Sequence, residues 1–253
     1  MSDMLTQTPQ QFRHTCLGIL VLLLAPLGVR ADDVPVDELL TKGKSLYSQE
    51  KQELIIRHFF GDRRDGFFVD VGCFHWKDAS TTFYLEEHLG WSGIGIDAQE
   101  IYRAGWKEHR PRSKFFAYAV TDKSGETITF FQAGGLSSTE TTNIKKWQKK
   151  IDFEPVETVV PTITLNDLLD REGVKKIDFL SIDINGGETI ALKGFDIQRF
   201  RPELVHIEAS PHRKAALSEY FERNGYQRVD AYLKYDAINW YFTPKTPESP
   251  KGS

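Results

Sequence analysis

An α/β fold, with a mostly parallel sheet covered by helices on both faces, is the class this sequence predicts. Three observations carry the prediction. Residues 66–97, GFFVDVGCFHWKDASTTFYLEEHLGWSGIGID, read as strand, glycine turn, helix, strand and acid, a βαβ unit of roughly 30 residues. Short apolar runs then keep alternating with helical stretches, and that alternation places helices on the faces of a parallel sheet. Finally, Tyr226–Lys234 and Ile238–Phe242 are two strand-like runs joined by a short turn, which predicts an antiparallel pair at the end of the sheet.

From the start of the chain, Arg13 and His14 precede an apolar run from Cys16 to Val29, too short for a comfortable membrane span. Val29-Arg30-Ala31 sets small residues at the two positions a signal peptidase reads, and Asp32-Asp33 follow. Residues 1–31 therefore read as a secretory signal cleaved after Ala31, giving a secreted or periplasmic product. An uncleaved membrane anchor is the alternative, and the membrane is expected as a partner only then. With Cys16 in that segment, Cys73 stands alone in the remainder, so no intramolecular disulfide is expected.

Residues 32–65 form a helical lead-in, with helices expected over Val36–Leu40 and Leu46–Phe60, then a polar turn. The main domain spans 66–243. Phe67–Val71 is a buried strand ended by Gly72. Ser80 or Thr81 caps a helix, Phe83–Leu89, that stops at Gly90. Gly93–Ile96 is the second strand, with Asp97 at its tip. A helix over Gln99–His109 is stopped by Pro111, and Lys114–Val120 is the third strand. Thr127–Gln132 alternates and is half exposed. Residues 133–156 are the least regular part, and a loop of that length inside a domain carries function or disorder. Pro161–Thr164 leads into a capped helix, Leu165–Arg171. Ile177–Asp183 is a buried strand ending on an acid, Gly186-Gly187-Glu188 opens a helix closed by Gly194, Leu204–Glu208 is a strand, and Lys214–Arg223 is an amphipathic helix. Residues 244–253, rich in Pro, Lys and Ser, read as a disordered tail.

The chain has 253 residues, 40% hydrophobic and 12% aromatic, enough for one sizeable core plus an extension. A net charge of −4 with scattered basic residues argues against nucleic acid as a partner. No Cys/His cluster has ligand spacing, so no metal is expected, with an Asp183/Glu208 divalent pair as the remote alternative. No Ser-His-Asp elbow is present. The turn Gly72–Lys77 lacks the repeated glycines that let a pyrophosphate approach, which argues against a nicotinamide dehydrogenase.

The βαβ unit itself suits a nucleoside. Backbone N–H groups at its turn face a polar ligand, and Asp97 can accept from ribose hydroxyls, or else cap the helix from Gln99. Asp183 ends the fourth core strand where the strand order should reverse, the position at which such sheets bind ligands. It can hold substrate or act as a base, or only cap the next helix. Glu208 lies at the tip of the neighbouring strand, with His206 deeper on the same face as a catalytic or core histidine. His75 and Cys73 sit in the first loop, His75 within reach of a ligand and Cys73 as a small packed residue.

Phe68-Val69-Asp70-Val71-Gly72, Ser80-Thr81-Thr82, Leu89 to Ile94 and Asp97, followed by Thr162 to Leu169, Ile177 to Glu188 and Leu192-Lys193-Gly194-Phe195, resemble the two conserved blocks of the FkbM-type methyltransferases over about residues 48–210. The resemblance implies a seven-stranded, Rossmann-like, S-adenosylmethionine-dependent methyltransferase sheet ending in an antiparallel hairpin. It implies Asp70 and Gly72 at the methionine portion, Asp97 at the ribose, and Cys73, His75, Ser80, Ala119 and Val120 completing the cofactor set. Asp183, Glu208 and His206 are the catalytic candidates. The implied reaction is methyl transfer to an oxygen, with nitrogen as second choice, of a small-molecule or saccharide acceptor. The sequence departs from the family pattern at Phe74, Ser181 and Asn185, where Asn or Asp, Lys and Glu are usual. With the export signal, these departures motivate a second reading: an exported interaction domain that keeps the fold without the chemistry.

Overall fold

The computed structural model describes residues 38–246; the signal reading of residues 1–31 and most of the predicted tail, from residue 247, lie outside the described residues. Two helices, α1 (Glu38–Lys42) and α2 (Gln52–Phe60), come first. Strand β1 (Phe67–Val71), α3 (Phe83–Leu89), β2 (Ser92–Asp97), α4 (Arg103–His109) and β3 (Ser113–Ala117) follow. Next are β4 (Ala119–Val120), β5 (Thr127–Gln132), α5 (Thr141–Gln148), β6 (Val156–Ile163), α6 (Leu165–Arg171), β7 (Phe179–Ile182), α7 (Glu188–Lys193) and α8 (Ile197–Phe200). The chain closes with β8 (Leu204–Glu208), α9 (Lys214–Arg223), β9 (Tyr226–Arg228) and β10 (Asn239–Pro244).

Seven strands form one sheet in the order β3-β2-β1-β7-β8-β10-β9. The first five run parallel, and β10 is antiparallel to both β8 and β9. The order reverses between β1 and β7, so the connections that leave their C-terminal ends run in opposite directions and leave a crevice above the paired strand tips. Both faces are covered, which is why these strands are apolar almost throughout. Val69, Ile94, Leu180 and Val205 face a core shared with α6, α7 and α9. Phe68, Phe179, Leu204 and Tyr241 face another, built on α1, α2 and α3.

The lead-in helices are therefore part of the domain's core. Leu40, Leu54, Ile55 and Ile56 are fully buried against the sheet. We expect Leu54→Ala to cost about 2–5 kcal/mol of unfolding free energy, the range for an apolar truncation in a packed core. Urea unfolding of the purified protein measures it, and a loss under about 0.5 kcal/mol, the scale of a surface change, would show that this helix docks without supporting the sheet.

Four segments depart from the sequence reading. The helix expected from Leu46 starts only at Gln52, because the Glu53 carboxylate accepts the N–H groups of Leu46 and Tyr47 (3.2 and 3.0 Å) and holds that stretch as a loop. The single strand expected over Lys114–Val120 is two strands. β3 pairs with β2, whereas Ala119 and Val120 pair with Thr162 and Ile163 in a separate sheet of order β4-β6-β5. Residues 115–120 are apolar and aromatic without a breaker, so only the pairing partner marks the switch. Where the sequence predicts only a lead-in to a helix over Pro161–Thr164, the structure has β6, a strand that contains Pro161 although proline ordinarily demotes a strand. Here β4 covers only Thr162 and Ile163, so the ladder on that side asks nothing of Pro161. Lastly, the strand expected over Tyr226–Lys234 stops at Arg228. Tyr232 turns inward instead and its hydroxyl meets His58 Nδ1 at 3.0 Å, a contact 174 residues apart that local sequence does not encode.

Candidate active site

The crevice between β1 and β7 opens into a cleft with about 930 Å³ of empty space, open solvent included. Its floor is built from strand ends. Gly72, at φ +86°, turns the chain sharply after β1; a Cβ there would stand 1.8 Å from the Asp183 carbonyl oxygen, so no side chain fits between the two strand ends. Gly72 and Cys73 donate their N–H groups to the Ile96 carbonyl (2.8 and 3.2 Å), tying the turn to β2.

Six of the eleven cofactor-binding and catalytic candidates line this cleft, Asp70, Gly72, Asp97, Ala119, Val120 and Asp183, as do the three departures from the family pattern, Phe74, Ser181 and Asn185. Asp97 accepts from Phe74 N at 3.0 Å and from Gln99 N at 2.8 Å. It thus fixes the glycine turn and starts the following helical turn while facing the cleft, and burial raises its pKa. Asp70 is buried and accepts from the Thr82 hydroxyl at 2.8 Å; burial pushes its carboxyl up to about 6 against the help of Thr82 and Arg110. Asp183 follows β7 directly, its N–H donating to Val71 O at 2.9 Å. No described residue donates a hydrogen bond to its carboxylate. Burial, then Glu188, Asp70 and Asp236, push its pKa up to about 7.

The other five lie beside the cleft. Cys73 is buried against Trp106 and Phe115, and burial raises its thiol pKa well above the usual range. His75 turns back on its own loop, its Nδ1 accepting from Asp78 N at 2.9 Å and Lys77 N at 3.3 Å. Ser80 caps α3, its hydroxyl accepting from Phe83 N at 3.0 Å. His206 is buried one strand further in, 3.0 Å from the Ser181 hydroxyl through Nδ1, with Nε2 unpartnered among the described residues. Burial lowers its pKa, so the ring is neutral. Glu208 lies beyond the cleft wall with a raised pKa, first through burial and then through Asp183 and Glu188.

Sequence reasoning left the roof unassigned. The loop at 133–139 arches over the cleft and lines it with Gly134, Gly135, Ser137 and Thr139. Ser138 Oγ donates to the Asn185 carbonyl at 2.8 Å, Asn185 Nδ2 donates to Gly135 O at 3.0 Å, and Arg213 reaches Glu140 at 2.6 Å. The only sequence signal for this was the length and turn-rich composition of the segment. Gln49, Thr81, Gln99, Ser181 and Asn185 add polar groups to the lining, and Phe74, Tyr118 and Phe130 add aromatic ones. Among the described residues the lining has three carboxylates and no Lys, Arg or His, so the cleft selects for cationic or neutral ligands.

The sequence model of the family described as "Methyltransferase FkbM domain" matches residues 62–233. A search among curated proteins found no match. Among solved structures, the chain is similar to a TehB-like SAM-dependent methyltransferase from Corynebacterium glutamicum, with 14% identity, TM-score 0.43, and coverage of 82% of this chain and 93% of that one. A human methyltransferase 10 domain containing protein gives 13% identity, TM-score 0.41, and coverage of 77% and 80%. A SAM-dependent methyltransferase from Thiobacillus denitrificans in complex with S-adenosyl-L-homocysteine gives 11% identity, TM-score 0.38, and coverage of 79% and 77%.

Proposed function

Because the chain belongs to the FkbM methyltransferase domain family, its chemistry is methyl transfer from S-adenosylmethionine, and we propose that the acceptor is a hydroxyl oxygen of a small molecule or saccharide. The lining fits the donor. S-adenosylmethionine carries two cationic groups, a sulfonium and an ammonium, against one carboxylate, and the cleft offers Asp70, Asp97 and Asp183 with no competing basic side chain among the described residues. When bound, the donor supplies an electrophilic methyl group. Asp97, at the tip of β2, would hold the ribose hydroxyls, and Asp70 the amine end.

One observation carries the choice of oxygen: Asp183 is a carboxylate facing the cleft without a described hydrogen-bond donor, and its pKa is raised to about 7. A neutral hydroxyl must lose its proton as the new bond forms, whereas a neutral amine is already a nucleophile. A carboxyl titrating near 7 is half ionised at neutral pH and strong enough to take that proton. The enzyme otherwise works by alignment in a partly closed cleft. The hydroxyl and amide groups of Thr81, Ser137, Thr139 and Asn185 can pair with the hydroxyls of a polyol acceptor. The test is transfer of a labelled methyl group to a panel of glycans, hydroxylated small molecules and amines, with the product bond identified. An ether supports the proposal; a methylamine as the main product overturns it.

We further propose that the product is exported. The Arg13-His14 start, the short apolar run and Val29-Arg30-Ala31 motivate cleavage after Ala31. N-terminal sequencing of protein recovered from the native host should begin at Asp32, and an intact start on a cytosolic product would sink the idea.

A further inference from the structure

A line of buried polar groups crosses the molecule under the cleft. In the sheet, Asp70 is register partner to Ser181, Ser181 to His206, and His206 to Tyr241, so the four stand side by side on one face. Ser181 and His206 are hydrogen-bonded at 3.0 Å. At the Asp70 end the line leaves the sheet. Thr82 Oγ donates to Asp70 Oδ2 at 2.8 Å and accepts from Arg110 Nη2 at 3.2 Å. Arg110, with a side chain 0% exposed, continues to Glu86 at 2.6 Å and donates to the Trp76 carbonyl at 3.1 Å. Its guanidinium lies 4.2 Å from the Trp106 ring centroid.

This arrangement is more than packing requires. A fully buried guanidinium is costly unless each N–H is used, and here one of its donors is spent on a hydroxyl whose own proton points at Asp70. That chain of donors holds Asp70 in the form that accepts hydrogen bonds and aims its carboxylate up at the cleft. Resting on the reading that this cleft takes the methyl donor, we propose that Arg110 and Thr82, neither of which lines the cleft, form a buried positioning arm that presents Asp70 as a carboxylate to the ammonium end of the donor.

The groups facing Asp70 are few. Thr82 and Arg110 favour its charged form, as does Ser181 from β7, with neutral His206 behind it. Asp97 from β2 opposes ionisation, and Asp70 in turn raises Asp183. Cys73, with its thiol pKa raised, stays uncharged. Burial has already moved Asp70 close to neutral pH, so loss of a single donor tips it towards the protonated state. The ionised form binds the ammonium; removing the arm therefore moves the loss of binding to higher pH.

The test uses Thr82→Val, which keeps the shape and removes the hydroxyl, and Thr82→Ser, which restores it. Thr82→Ala is a second hydroxyl-free variant should valine not fold. Carbon-13 NMR follows the Asp70 carboxyl in the unliganded protein, and calorimetry with S-adenosylhomocysteine, which retains the ammonium, runs from pH 5.5 to 8.5. In the hydroxyl-free variant the Asp70 midpoint should rise by about one pH unit, with affinity down about fivefold at pH 6 and less than about twofold at pH 8.5. The serine variant should match the wild type. An unmoved Asp70 midpoint, or an affinity loss equal at every pH, overturns the arm. Wild-type protein that binds no S-adenosylhomocysteine at any pH overturns the donor-cleft reading on which the arm rests, a result distinct from an unmoved midpoint.

Discussion

Asp183→Asn is expected to slow methyl transfer by at least about tenfold, and by up to about 10⁴-fold if the carboxylate is the sole base, the span of positioned general-base catalysis. Donor affinity should stay within a few-fold, because the amide keeps the size of the side chain. The pH profile is the sharper readout. A base with a pKa near 7 must be unprotonated to work, so the wild-type rate should climb with pH through about 6–8 and level off above; in the asparagine variant that rise should vanish. Stability should move the other way. The raised pKa means that the native state binds more protons than the unfolded chain between the ordinary carboxyl range and about pH 7. Wild-type stability therefore falls as pH rises through that window. The amide has no charge to desolvate, so the Tm of Asp183→Asn at pH 8 should equal or exceed the wild-type value. Single-turnover kinetics with labelled donor and thermal unfolding together decide the matter. Full turnover in the variant would refute the catalytic role, and a rate loss accompanied by a lower Tm would reassign Asp183 to a structural role. Glu208→Gln should show a smaller effect of the same kind, since Glu208 reaches the site only across the cleft wall.

Asp97→Ala is expected to weaken S-adenosylmethionine or S-adenosylhomocysteine binding by about 1.5–3 kcal/mol, the scale of hydrogen bonds to a charged group, or about 10–150-fold in Kd. Two losses combine: the proposed acceptor for the ribose hydroxyls goes, and so does the anchor for Phe74 N and Gln99 N that holds the glycine turn against β2. Asp97→Asn separates them, because the amide oxygen still accepts from one of those backbone groups while the charge is gone. Calorimetry on both variants gives the comparison. Wild-type affinity in the alanine variant would remove Asp97 from the site. An asparagine variant as weak as alanine would show that the charge, and not the loop geometry, carries the binding.

The site was legible in proportion to how locally it is encoded. Asp70, Gly72, Asp97 and Asp183 each sit at a strand tip that can be located from a short apolar run and the turn after it, and all four meet in the cleft. Ser80, His75 and Cys73 occur in the same stretch of sequence but point into the loop's own structure, as cap, internal acceptor and packed thiol. Nothing in sequence spacing distinguishes a loop side chain that faces the ligand from one that faces its own backbone. The roof at 133–139 was visible only as irregularity, because its position depends on contacts that it and the adjoining Glu140 make to Asn185 and Arg213, 47 to 73 residues away.

By itself the sequence determined the class of fold, the order of its main strands and helices, and the family. Those follow from hydrophobic periodicity, glycine stops and two ordered blocks of residues, all of which act within a few turns of chain. The tertiary structure alone decided that residues 113–120 serve two sheets, that Pro161 lies inside a strand, that the lead-in helices complete the core, and that Arg110 and Thr82 stand behind Asp70. Each of these depends on a partner distant in sequence. An apolar run is equally content in either sheet, and a buried arginine is tolerable only where folding brings Glu86, Thr82 and the Trp76 carbonyl around it, so the energy that selects these arrangements exists only once the chain is assembled.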